Sequence, residues 1–218
     1  MALIFPLPAA DFLDLLPCQS VQFHCPPQTA ATGLAGGDLI RAEVAPQMWQ
    51  GAYTMPPMRP RVAASFEVLI EALQGVGGSF YAYKKNQIGP ASDPRGIALS
   101  GRSVVISSID VAGSRLRLSG LPAGLVLTLG DFLAFDYSAG PVARALHRLQ
   151  SGGVASAGGV SGWLSVSPHI EPGALVGAAV SLVRPACKAV IVPGSVDPGV
   201  TTGNITSGAS FSFRQTFR

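Results

Sequence analysis

The chain has 218 residues, a formal net charge of +3 and charged side chains at only 12% of positions, about half the usual share of about 25%. So small a basic excess, scattered along the chain, argues against nucleic-acid recognition, which calls for a clustered basic face. A mean hydropathy of +0.38 leaves little polar surface for a solitary particle and points to apolar surface covered by other copies or other proteins.

In chain order, "MALIFPLPAADFLDLL" lacks a basic start and meets Asp11 and Asp14 where an uncharged stretch would continue, so no signal peptide is expected. "VQFHC" (21–25), "DLIRAEV" (38–44) and "MWQGAYTM" (48–55) are short, rich in β-branched or aromatic residues, and separated by Pro and Gly, as strands are. In the third, the two-residue strand period puts Trp49, Tyr53 and Met55 on one face with Gly51 between them. Pro56 and Pro57 enforce a corner, since each fixes its own φ and disfavours helix in the residue before it. Pro60 suits the first turn of a helix over 60–74, on which Val62, Phe66, Leu69, Ile70 and Leu73 form one apolar stripe. Glu67 and Glu71 lie on its polar side and Gly75 follows as a stop. "GSFYAYK" (78–84) resumes the strand pattern, and Lys84-Lys85 beside Tyr81 and Tyr83 reads as a solvated strand end.

The turn-rich "GPASDPRG" (89–96) leads into segments recurring every ten to fifteen residues: "GRSVVISSIDV", "SRLRLSGL", "LVLTLGDFLAFDY", "PVARALHRLQ", "GWLSVSPHI" and "GAAVSLVRP". That spacing is typical of a small sandwich or barrel. "PVARALHRLQ" is helical by composition, but its neighbours favour a strand. The apolar run 174–192 is broken by Arg184, Pro185 and Lys188, so it reads as two strands and a turn, not a membrane span of about 20 residues. "ASFSFRQTFR" closes the chain, with Phe211 and Phe213 in phase and Phe217 out of phase. The glycine-rich segments 151–159 and 194–208 read as flexible loops that order on assembly. The expected fold is mainly β with one packed α-helix. A sandwich- or barrel-like belt domain would comprise 1–87 plus 186–218, and 88–185 would be an inserted small β-barrel or sandwich module.

Chemistry-bearing residues are sparse. Cys18, Cys25 and Cys187 form no CxxC and cannot all pair, so reduced, partly buried thiols are expected. His24-Cys25 has no second ligand pair to complete a metal site. A hydrolase could draw on Asp131 or Asp136 with His147, or on His169 with Glu171, if the fold brought them within hydrogen-bonding reach. Asp131 after Gly130 is more simply a turn residue, and His147 is expected to face solvent or an interface. Trp163 and Tyr137 could serve as stacking platforms for a sugar; the simpler reading puts Trp163 in the core or at a strand edge. The reading is therefore a non-enzyme with no catalytic, cofactor-binding or metal-binding residues, no cofactor and no inserted membrane segment.

One stretch carries a family likeness. "WQGAYTMPPMRPRVAASFEVLIEALQGVGGSFYAY" resembles the strand-to-helix segment of distal tail and related minor tail proteins of long-tailed bacteriophages, through Trp49, Tyr53, Thr54, Pro56, Pro57, Met58, Phe66, Leu69, Leu73, Gly75, Gly78 and Phe80. "LTLGDFLAFD", "GWLSVSP" and "ASFSFRQTFR" are similar to later strands of the same group. The resemblance implies a structural virion protein that forms a ring, commonly hexameric, joining the tail tube protein to the tail-tip hub or baseplate. It also implies location at the distal end of the tail after synthesis in the host cytoplasm. Two further roles stay open: a host-surface or carbohydrate-binding module of the tip, and a tail-tube or other virion-stabilising ring protein.

Overall fold

The computed structural model describes residues 3–33, 36–137 and 143–217. Two short 3-10 turns (Ala9–Asp11 and Leu13–Leu15) precede β1 (Ser20–His24), β2 (Thr29–Gly33), β3 (Leu39–Glu43) and β4 (Gln50–Thr54). The one α-helix among the described residues, α1 (Pro60–Gln74), then leads to β5 (Phe80–Tyr83). Eight strands follow: β6 (Val105–Ile109), β7 (Arg115–Ser119), β8 (Val126–Leu127), β9 (Phe132–Asp136), β10 (Arg144–Leu149), β11 (Gly153–Val154), β12 (Leu164–Ser167) and β13 (Val180–Ser181). The chain ends through β14 (Ala186–Ile191), β15 (Val200–Thr202), β16 (Ile205–Ser207) and β17 (Ser210–Gln215). The fold is mainly β with one packed helix, built from antiparallel sheets.

The first sheet draws strands from both ends of the chain, in the order β1–β4–β17–β14–β5. Strand alternation decides its buried face: Trp49, Tyr53 and Met55 from the β4 stretch and Phe211 and Phe213 from β17 all point inward. The rings of Tyr53 and Phe211 lie 5.3 Å apart, and Phe12 meets Phe80 edge-on at 5.0 Å. Such aromatic pairs each add about 0.5–1.5 kcal/mol beyond area burial. Gly51 is required here, because a Cβ at this position would overlap the Gln22 carbonyl of β1 and press on the Phe213 ring. Across this core lies α1, with Pro60 in its first turn and Ala63, Phe66, Ile70 and Leu73 buried.

The second sheet runs β13–β9–β10–β12–β7–β6. Leu116, Leu118, Leu133, Phe135, Leu149 and Leu164 line its own core. The alternate residues Phe132, Ala134 and Leu146 belong to the first core, so β9 and β10 are buried on both faces and join the sheets. Trp49 Nε1–H donates to the Leu146 carbonyl at 2.6 Å, a cross-sheet bond.

Several expectations need correction. Val62 is 40% exposed; Ala63 takes its place, because the helix stripe turns by one residue at its start. Gly75 does follow α1 directly as its stop, with φ −64°; the positive φ falls at Gly77. The 194–208 segment is no loose loop: β15 and β16 form a hairpin, and Thr206 exchanges both backbone hydrogen bonds with Met58. In 151–159, β11 pairs with β8. "DLIRAEV" is a strand, but among the described residues it pairs only with β2, which carries no β-branched run to announce it, and every residue of both is exposed. "PVARALHRLQ" is a strand over Arg144–Leu149; its first two residues, Pro141 and Val142, lie outside the described residues.

Candidate functional site

Asp131, Asp136 and His147 are drawn into structural roles. Asp131 is buried at the turn into β9. Its Oδ1 accepts the Ala91 N–H (2.9 Å) and its Oδ2 accepts the Thr128 N–H (2.7 Å) and hydroxyl (3.1 Å), tying the 89–96 link to the sheet. Asp136 faces Arg144 across the β9–β10 ladder, with 3.7 Å between charged atoms. His147 is 2% exposed, contrary to the solvent-facing expectation, because β10 is covered on both sides. Its ring stacks on Phe135 at 5.2 Å, and Nδ1–H donates to the Pro168 carbonyl at 2.8 Å. Burial, reinforced by His169, pushes the imidazole down to about 4. His147 is therefore neutral at pH 7, with Nε2 buried and lacking a hydrogen-bond partner among the described residues.

His147, His169, Glu171 and Tyr137 do converge on one very small cavity, closed by Gln47 and Gln215. The Tyr137 hydroxyl accepts the Glu171 N–H at 3.0 Å, and burial lifts the phenol to about 12. Tyr137 is thus occupied and half-buried, not a free platform. Asp131 and Asp136 bond elsewhere, so the pairing of either with His147 is not made.

The other singled-out residues are also engaged. Lys85 donates from Nζ to the Leu13 and Leu16 carbonyls, both at 2.6 Å, fastening the N-terminal 3-10 turns to β5; it is not a solvated strand end. Asp14, in the same segment, accepts from the Tyr83 hydroxyl and pairs with Arg184 at 2.6 Å. The three cysteines are free thiols, Cys18 and Cys25 half-buried and Cys187 buried. Burial raises Cys25 to about 11. His24 Nε2 accepts from Gln50 Nε2 at 3.1 Å. Among the described residues no group of three or more His, Cys, Asp or Glu is placed to hold a metal ion, and no helix is long and apolar enough to cross a membrane.

What the fold leaves open is surface. The β2–β3 arm carries Leu39 and Ile40 with Val44 just beyond, all more than half exposed. No family model and no curated protein matches this chain. The functional reading therefore rests on the surfaces themselves.

Two more of these matter. Trp163 is 38% exposed under the guanidiniums of Arg117 (4.5 Å from the ring centroid) and Arg115 (5.6 Å). Beside α1, a groove of about 430 Å³ runs between the helix and the segment carrying Val196 and Pro198. The Arg-Trp cluster was legible in part: in "SRLRLSG" strand alternation places Arg115 and Arg117 on one face. Their meeting with Trp163, some 46 residues on, depends on the β12–β7 register.

Proposed function

We propose that this chain is a structural tail-tip protein of a long-tailed bacteriophage, a distal tail protein. In this reading it forms a hexameric ring that joins the tail tube to the tip hub or baseplate. Residues 1–87 with 186–218 make the belt that closes the ring, 88–185 is the inserted module, and the protein resides at the distal end of the virion tail.

The observation that carries this reading is the β2–β3 arm. A two-stranded hairpin is marginally stable alone in water, and this one has no buried residue in either strand. Leu39, Ile40 and Val44 make such an arm costly to leave in water and favourable to lay on a neighbour. In a ring each copy presents one surface to the next and a different one to the previous, so an arm reaching outward is a natural contact. The low charge and the family likeness of residues 49–80 point the same way, as does the structural use of Asp131, Asp136 and His147.

Negative-stain electron microscopy of the purified chain tests the proposal. Sixfold ring views are expected. Removal of the arm should abolish them while leaving the thermal melt of the sheets in place. Isolated particles of monomer size in the intact chain would overturn it.

A further inference from the structure

The groove beside α1 runs over the buried Phe66 and Ile70, with Val196 and Pro198 on its far side and Glu67 and Glu71 along the helix. The two glutamates are exposed, one turn apart, and neither is in an ion pair among the described residues. The groove thus has an apolar wall at Val196 and Pro198 facing a negative edge at Glu67 and Glu71. The Trp163 cluster has the opposite character: a half-open indole with a cation held against it. Asp110 pairs with Arg115 at 3.0 Å. Arg117 is in no ion pair among the described residues, and its Nε is buried without a hydrogen-bond partner. One patch lies on the first sheet's helix, the other on the second sheet.

We infer that Trp163 with Arg117 docks into the α1 groove of the next copy of this chain, the indole packing against Val196 and Pro198 and the guanidinium meeting Glu67 and Glu71. The inference rests on the ring reading and adds, beside the arm contact of the belt, a second contact between the inserted module of one copy and the belt helix of the next. A cyclic assembly needs two different, complementary surfaces on each subunit, and these two match in both polarity and charge. Trp and Arg are the side chains most often found to dominate interfaces. With the indole seated beside them and excluding water, the contacts between Arg117 and the two carboxylates would be less screened and so stronger.

Charge reversal tests it. Arg117→Glu alone, and Glu67→Arg with Glu71→Arg alone, should each raise the concentration needed for ring formation by at least tenfold. Combining all three should recover most of the loss, with every variant melting like the parent. Trp163→Ala should weaken rings without any charge change, which keeps the test decisive if Arg117→Glu does not fold. Rings unaffected by both reversals, or lost in each and not recovered in the combination, would overturn this contact while leaving the ring itself standing. A parent protein that forms no ring would overturn both. Binding of an acidic polysaccharide that Arg117→Glu abolishes, with rings unchanged, would overturn the contact in favour of a glycan site.

Discussion

His147 shows how one buried side chain sets a pH dependence. Its folded-state value of about 4 lies below the ordinary 6.5, so the unfolded chain takes up the proton first as pH falls. Stability is therefore full above pH 6.5 and is lost as pH drops toward 4, by about 3 kcal/mol in all and by about 2 kcal/mol at pH 5. Urea unfolding at pH 7 and pH 5 should show this loss, and His147→Phe should remove most of it; equal slopes for parent and variant would contradict the burial. The Tyr53 hydroxyl makes a second single-residue test. It donates to the Tyr83 carbonyl at 2.6 Å inside the core. Tyr53→Phe should cost about 1 kcal/mol, the net worth of one buried hydrogen bond, measured as a lower urea midpoint with unchanged m-value.

Within the elements, α1 and β4 hold the first core together. Phe66 is fully buried and its ring lies 6.1 Å from Phe211, so Phe66→Ala should cost about 3–5 kcal/mol. A melt like that of the parent would remove the helix from the core. At Gly51 the clash is with β1 backbone, which cannot swing away, so Gly51→Ala should cost about 1–3 kcal/mol or more. These elements were legible because burial imposes a period: 2 along Trp49, Tyr53 and Met55, and about 3.6 along Phe66, Ile70 and Leu73. The β2–β3 arm was half legible for the same reason in reverse. With no buried face, "TAATG" carries no alternation, and only its partner "DLIRAEV" looked like a strand. His147 was misread because a strand covered on both faces places polar and apolar residues alike in the interior. The β15–β16 hairpin was hidden in Gly- and Thr-rich sequence whose order comes from Met58, more than a hundred residues away.

As a whole, the molecule carries few charges and still leaves an apolar arm, a half-open indole and the groove beside α1 uncovered. The two cores are joined through β9 and β10 of the second sheet and the Trp49–Leu146 bond, and the uncovered features are not needed to fold one copy. Deleting the arm strands should therefore leave the melting temperature within a few degrees of the parent while lowering the particle mass. The most direct measurement is the solution mass of the intact purified chain by multi-angle light scattering at micromolar concentration. The account predicts a particle of six times 22.4 kDa; a single species of 22.4 kDa across the whole concentration range would contradict it.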